Sequence, residues 1–278
     1  MSGLKLERQG AVAHLSLNRP EVGNAMDPAF WRDLPTVVRG LDAGAGIRCL
    51  VISGEGRHFS TGMDLKVFAS PDALSPRAGP DPGVSAEAFR AQVLALQETF
   101  TCLEQARFPV LAAVHGACVG AGLDMIAACD IRYAAADAFF QLQEINIGMT
   151  ADVGVFPRLC KLIPDGWVRE LAYAGRRLDA RSAERIGLVN GVFESREALL
   201  EHTLQTAQEI ASKAPLAVWG SKRMITYARD HSVADALDYV ATWNAAMFSP
   251  EQMAESFRAQ QEKRAPDLPD LKPAPKGL

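Results

Sequence analysis

The sequence has no surplus of positive charge, no paired cysteine spacing and no hydrophobic run long enough to cross a membrane, and each absence removes a class of function. Acidic residues outnumber basic ones, 33 to 29, for a net charge of -4, so no global basic field favours nucleic acid or an anionic membrane. The five cysteines, Cys49, Cys102, Cys118, Cys129 and Cys160, are odd in number, show no C-x-x-C spacing and lie mostly in apolar runs. They predict reduced, buried thiols and a cytoplasmic location. The longest apolar candidate, Val110 to Ala128, is broken by His115, Gly116, Gly120, Gly122 and Asp124, short of the roughly 18 unbroken residues of a membrane span. The start, MSGLKLERQGAVAHLSLN, has no basic stretch followed by an apolar one, so no signal peptide is expected. The last three residues, Lys276, Gly277 and Leu278, are not the peroxisomal S-K-L address.

Several catalytic signatures are missing too. The five histidines, His14, His58, His115, His202 and His231, are scattered, without H-E-x-x-H or Cys/His ligand spacing, so no metal is expected. There is no G-x-S-x-G elbow for a serine hydrolase. The glycines of HGACVGAGLD do not complete G-x-G-x-x-G, because position 125 is Met, and no G-K-[ST] follows. A dinucleotide or P-loop site is therefore disfavoured.

What is present is a chain of 278 residues, 48% hydrophobic, enough to bury a sizeable core in one large domain or a domain plus an appendage. Leu4 to Asn18 predicts a hairpin turning at Gln9 and Gly10. Asp27 is placed to cap a helix over Pro28 to Leu41, which Pro35 is expected to interrupt or shorten. Arg48 to Ser53 (RCLVIS) predicts a buried strand, followed by the loop GEGRHFSTGMDL. Phe68 to Glu87 is rich in proline and glycine and predicts a mobile surface loop, a candidate lid. A helix is expected from Ser85 to Ala106, a strand over Val110 to Val114, a tight glycine turn over Gly116 to Gly122, a helix from Leu123, and strands over Ile131 to Ala134 and Ala138 to Leu142.

Beyond Asn190 the pattern becomes helical: Arg196 to Lys213, Leu216 to Arg229, Val233 to Phe248 and Pro250 to Glu262. The Pro-rich tail is expected to fray. Leu237, Tyr239, Val240, Trp243 and Met247 recur at near-helical spacing, and burial in the chain's own core is the simpler expectation beside an oligomer interface.

Three carboxylates, Asp124, Glu144 and Asp152, stand in the least polar text of the chain: VLAAVHGACVGAGLDMIAA, FFQLQEINIGM and TADVGVF. Burial raises a carboxyl pKa toward neutrality, which suits a group that must take and give a proton. A helix-terminus carboxylate or a buried ion pair is the structural alternative. The turn around HGACVGAGLD places free backbone N–H groups at a helix N-terminus. With a donor from the loop Ser60 to Asp64 it forms a candidate oxyanion hole for a thioester carbonyl. Asp130 reads as a cap or as an ion-pair partner of Arg132, and His115 as a residue satisfied by hydrogen bonds near the turn.

The loop FSTGMDL, the turn GACVGAGLDMIAACDIRYA and the segment FFQLQEINIGMTADVG resemble the enoyl-CoA hydratase/isomerase (crotonase) superfamily. Within it the resemblance is to the delta(3,5)-delta(2,4)-dienoyl-CoA isomerases. It runs from NRPEVGNAMD, Asn18 to Asp27, through GSKRMITYARDHSVADALDYVATWN, Gly220 to Asn244. It implies an α/β fold, a crotonase-like spiral of repeated beta-beta-alpha turns over residues 1–195. A helical C-terminal region over 196–278 would serve as a cap and trimer contact. It also implies an acyl-CoA thioester substrate, no cofactor, and a homo-oligomer, a trimer or a dimer of trimers, with no nucleic acid and no membrane insertion.

By the same resemblance Ser60, Thr61, Gly62, Met63 and Asp64 form the thioester loop, and the backbone N–H groups of Met63 and Ala121 are the oxyanion donors. Dienoyl-CoA isomerases carry the Asp, Glu, Asp set at the spacing of Asp124, Glu144 and Asp152, whereas hydratases place Glu at both of two sites. Glu144 is then expected to take the C2 proton and Asp152 to supply C6, with Asp124 orienting a group or tuning a neighbour. The alternatives are an enoyl-CoA hydratase using Asp124 and Glu144, and a noncatalytic acyl-CoA-binding or RNA-binding relative. Lys66, Lys222 and Arg223 are candidate cations for the CoA phosphates, though a solvated surface charge is the simpler reading of each.

Overall fold

The computed structural model describes residues 3–64, 66–67 and 81–274. Strand β1 (Leu4–Gln9) turns at Gly10 into β2 (Val12–Leu17), an antiparallel hairpin as the alternation predicts. Helix α1 (Pro28–Gly44) follows, then β3 (Cys49–Gly54), α2 (Pro82–Gln105), β4 (Val110–Val114), β5 (Ala117–Val119) and α3 (Ala121–Ala127). Next come β6 (Ile131–Ala135), β7 (Phe139–Gln141), a 3-10 turn at Glu144–Ile147, α4 (Val155–Leu159), α5 (Asp165–Ala174), β8 (Leu178–Asp179), α6 (Ala180–Arg185) and β9 (Val192–Phe193). Four helices end the chain: α7 (Arg196–Ala211), α8 (Pro215–Ala228), α9 (Val233–Met247) and α10 (Pro250–Glu262). None of the described helices is long and apolar enough to cross a membrane.

The strands sort into two sheets. The larger runs β1-β2-β3-β4-β6-β9 and is parallel from β2 onward; the smaller runs β5-β7-β8. Two successive turns of chain, β4–β5 and β6–β7, thus give one strand to each sheet, and their equivalent strands pair in parallel, β4 with β6 and β5 with β7. This is the spiral the resemblance implies.

Strand β3 is buried along its whole length, as a parallel strand covered on both faces must be. Because side chains alternate, Leu50 and Ile52 enter the main core while Cys49 and Val51 pack with Ala207 and Ala211 of α7. The first helix after residue 195 therefore closes the outer face of the sheet. On the inner face Trp31 of α1 meets Phe100 of α2, ring centroids 5.3 Å apart.

Several expectations are corrected. Pro35 does not break α1. It lacks the N–H that would engage the carbonyl of Trp31, and that carbonyl instead accepts the Thr99 hydroxyl of α2 at 3.2 Å. The proline-rich segment ends sooner than expected. Pro82 is the first residue of α2, and Asp81 accepts from the N–H groups of Gly83 and Val84; residues 68–80, with the expected lid, lie outside the described residues. Cys160 is exposed, whereas the other four thiols are buried.

The tail does not fray before residue 274. Arg48 donates to the Leu268 carbonyl at 2.7 Å and pairs with Asp270, and the N–H of Ala274 reaches the Ala43 carbonyl. Helix α9 buries none of its residues. Leu237 is 64% exposed, so the apolar set of α9 does not enter the chain's own core.

Two assigned charges have other partners. Asp130 pairs with Lys222 at 2.8 Å and accepts from the N–H of Val110, while Arg132 donates to the carbonyls of Leu188 and Cys129. Lys222 also donates to the carbonyls of Leu103 and Phe108 and is only 7% exposed. It anchors α8 and is not a free cation for a phosphate. Lys222→Ala, which strands Asp130 and two carbonyls, is expected to lower the unfolding free energy by about 3 kcal/mol in urea titration. A change below about 0.5 kcal/mol, ordinary for a surface site, would refute the anchoring role.

Candidate active site

The thioester loop is built by hydrogen bonds that leave one donor over. The N–H of Ser60 reaches the Ala117 carbonyl at 2.9 Å, and that of Thr61 the Gly23 carbonyl at 2.9 Å. The N–H of Gly62 reaches Ser60 Oγ at 3.1 Å, and that of Asp64 the Met26 carbonyl at 3.0 Å. Met26 and Met63 form a parallel bridge in which Met26 bonds to Gly62 and Asp64. In that pattern the N–H of Met63 points away from Met26, and it has no acceptor among the described residues.

The second donor lies across the loop. Gly120, at φ 53°, is the N-cap of α3, and its carbonyl accepts from Leu123 and Asp124. The N–H of Ala121 is one of the first-turn donors that a helix cannot satisfy internally. An added Cβ on Gly62, itself at φ 91°, would stand 2.8 Å from the Val119 carbonyl and 3.5 Å from the Ala121 nitrogen. The loop and the helix start therefore approach closely enough that only glycine fits between them. Ser60, Thr61 and Asp64 shape this loop: the Ser60 hydroxyl donates to the Asn24 carbonyl, and the Thr61 hydroxyl to that of Gly23. The carboxylate of Asp64 accepts from the N–H of Lys66 and from Arg19, and both interactions hold its pKa below the usual range.

Two contributors here have no assigned role in the sequence reading. Arg19 pairs with Asp64 at 3.2 Å and with Asp27 at 3.5 Å. Asn24, at φ 55°, accepts from the N–H of Arg19 and donates to the carbonyls of Glu55 and His58. Both fall within NRPEVGNAMD, so the signal was in the quoted motif, but the 45 residues from Arg19 to Asp64 conceal the contact. His115 meets its expectation, with Nε2 at 2.9 Å from the Gly56 carbonyl. Arg223 donates to the Tyr239 hydroxyl and ties α8 to α9; Lys66 is exposed.

The three acids share one neighbourhood. Asp124, on α3, is fully buried; Oδ1 accepts the N–H of Val155 at 2.7 Å, and Oδ2 has no partner among the described residues. Burial first, then the charge of Glu144 and, more weakly, of Asp152, pushes its carboxyl well above the ordinary range. Glu144 opens the 3-10 turn, and a Cβ on Gly120 would lie 3.0 Å from its Oε1. Its Oε2 is buried without a partner, and burial, reinforced by Asp152, raises its pKa. Asp152 is half-buried in the loop before α4, and burial raises its pKa as well.

Glu144 and Asp152 line different cavities. Glu144 borders one of about 390 Å³ with Leu142, Ile145, Met149, Phe156 and Val168; Asp152 borders one of about 450 Å³ with Gln97, Thr101, Arg158 and Arg229. Ala151 lines both. Two carboxyl groups with raised proton affinity thus border separate cavities that share Ala151 in their lining.

A carboxyl whose pKa rises on folding costs stability at neutral pH, because the folded state binds its proton more tightly than the unfolded state. That cost is absent below the unfolded pKa, grows as pH rises toward the folded pKa and is complete above it. Asp124→Asn keeps an oxygen for the N–H of Val155 and removes the titrating group. Its melting temperature is expected to match the parent's near pH 4 and to exceed it at pH 7, by about 2–4 °C for each kcal/mol relieved. A variant less stable than the parent at pH 7 would contradict the assigned cost.

Residues 7–270 match the family model described as Enoyl-CoA hydratase/isomerase. A Mus musculus protein named mitochondrial Delta(3,5)-Delta(2,4)-dienoyl-CoA isomerase is 43% identical over 257 residues, 92% of this chain and 78% of the relative. The peroxisomal protein of that name from Arabidopsis thaliana is 39% identical over 268 residues, 96% of both chains. Among solved structures, an enoyl-CoA hydratase from Bacillus anthracis superposes with a TM-score of 0.84 at 29% identity, covering 96% of this chain and 99% of that one. The cytoplasmic location inferred from the cysteines is overturned by the relatives, which are named mitochondrial or peroxisomal. Reduced thiols report the redox state of a compartment, not its address. The match along nearly its whole length makes the chain a member of the enoyl-CoA hydratase/isomerase family.

Proposed function

We propose that this chain converts 3,5-dienoyl-CoA thioesters to their 2,4-dienoyl isomers. The observation that carries the reading is the third acid. Asp152 borders a cavity apart from that of Glu144, yet its charge bears on both Glu144 and Asp124. Hydration of a 2-enoyl-CoA works across one double bond and has no use for a distant acid. Moving a 3,5-diene into conjugation with the thioester removes a proton at C2 and adds one at C6, so it needs two. The names of the mouse and Arabidopsis relatives support the same choice.

In this mechanism the thioester carbonyl accepts from the N–H groups of Met63 and Ala121. These donors are aimed where negative charge grows, which is the most effective use of fixed dipoles. Glu144 takes the C2 proton; the C2–H electron pair passes into a dienolate spread from the carbonyl oxygen to C6. Protonated Asp152 then delivers a proton to C6, the C2–C3 and C4–C5 double bonds form, and the carbonyl is restored. The enzyme resets when the proton on Glu144 is lost and Asp152 regains one. Asp124, held neutral by burial, keeps Glu144 from facing a second fixed charge and so tunes its basicity. The thioester itself acidifies C2, so the reaction uses no cofactor.

The chain acts as a trimer or a dimer of trimers in this reading. The support is an exposed apolar set in its C-terminal helical region: Ile225, Val233, Leu237 and Phe257 on helices, and Phe248 between α9 and α10.

Purified protein given a 3,5-dienoyl-CoA is expected to produce the absorbance of a conjugated 2,4-dienoyl thioester. Asp152→Asn is expected to slow that conversion by roughly 10²–10⁴-fold, the usual contribution of a positioned acid. Full isomerisation by the variant would remove Asp152 from the mechanism, and a parent enzyme that only adds water to 2-enoyl-CoA would favour the hydratase.

A further inference from the structure

Asp152 lies in an irregular stretch between the 3-10 turn and α4, where no ladder fixes the backbone. The direction of its carboxyl therefore follows the local backbone dihedrals of this stretch. The bond that reaches this residue from outside its own loop comes from Gln97, whose Nε2 donates to the Asp152 carbonyl at 2.6 Å. The flanking groups are tied separately: Arg158 donates to the Gly154 carbonyl, and the N–H of Val155 to Asp124.

Gln97 is well placed to hold a backbone still. It belongs to α2, whose following turn, Thr99, Phe100, Cys102 and Leu103, is buried in the main core. The Gln97 carbonyl accepts the Thr101 hydroxyl at 2.9 Å, and Gln97, Thr101 and Asp152 line the same cavity. Among the described residues no hydrogen bond joins Gln97 to Glu144, which stands at the start of the 3-10 turn and lines a different cavity.

We infer that Gln97 is a positioning residue for the Asp152 carboxyl, and through it for proton delivery at C6, separate from proton removal at C2. The inference rests on the proposed isomerase reading. Its consequence is a split between the two half-reactions. Loss of the Gln97 donor frees the peptide after Asp152 while leaving the oxyanion donors and Glu144 in place. A displacement of about 1 Å in a reacting group is worth up to roughly 10²-fold in rate.

The test uses the full chain, with Gln97→Met as a variant of similar shape without the donor. Two rates are read in D2O: formation of 2,4-dienoyl-CoA, and deuterium entry at C2 of recovered 3,5-dienoyl-CoA. The expected result is a 10- to 100-fold loss of product formation with C2 exchange within about threefold of the parent and an unchanged melting temperature. Parallel loss of both rates, or loss of neither, would overturn the inference. Asp152→Asn serves as the control that separates the two claims. If it isomerises normally, the C6 assignment itself fails; if it exchanges without isomerising and Gln97→Met does not, only the positioning role fails.

Discussion

Two backbone hydrogen bonds, from the N–H of Ser60 to the Ala117 carbonyl and from the N–H of Val119 to the Ser60 carbonyl, join successive turns of the spiral where the site is formed. They put the loop after β3 directly beside the strand that leads into α3. The free N–H groups of Met63 and Ala121, far apart in sequence, then lie on adjacent backbones. The larger sheet holds the same two turns in register through β3 and β4. A glycine with φ 91° at position 62 is a consequence of this approach, because any side chain there would collide with the Val119 carbonyl. Arg19 and Asn24 brace the loop from its other side.

The acids follow from the same stacking. Asp124 is on the helix that begins at the second donor, and Glu144 follows β7, the parallel neighbour of β5. Asp152 arrives on the loop that α2 supports through Gln97. None of the three has a cationic partner within ion-pair distance among the described residues, and burial raises the pKa of each. The nearby cations are engaged elsewhere: Arg158 and Arg229 both pair with Glu104, and Lys222 with Asp130. The protein thus neutralises its structural charges pairwise and leaves the catalytic candidates with elevated proton affinity. That arrangement costs stability and favours proton transfer near neutral pH.

Much of this was legible in the residues. The hairpin turning at Gly10, the buried strand after Arg48 and the cap at Asp27 are local patterns, set by alternation and by side-chain bonds to the next few residues. The acids were visible as charges in apolar text, and the motifs around them carried the family. What was not legible depends on distant partners. Pro35 is tolerated because Thr99 takes the orphaned carbonyl. Lys222 reads as a surface charge until Leu103, Phe108 and Asp130 close around it. Between Asp152 and Phe193 the elements other than α5 are short, α4 and α6 being five and six residues and β8 and β9 two each, too brief to show a period. The location failed for a different reason, since an address is read by a receptor and leaves no trace in cysteine chemistry.

The central claim is that two different carboxyl groups serve C2 and C6. A single turnover of 3,5-dienoyl-CoA deuterated at C2, with enzyme in excess in ordinary water, tests it most directly. If Glu144 removes the label and Asp152 supplies a proton of its own, the 2,4-dienoyl product carries protium at C6. Deuterium transferred from C2 to C6 would mean that one group carries the proton along the chain, and the two-carboxylate account would be wrong.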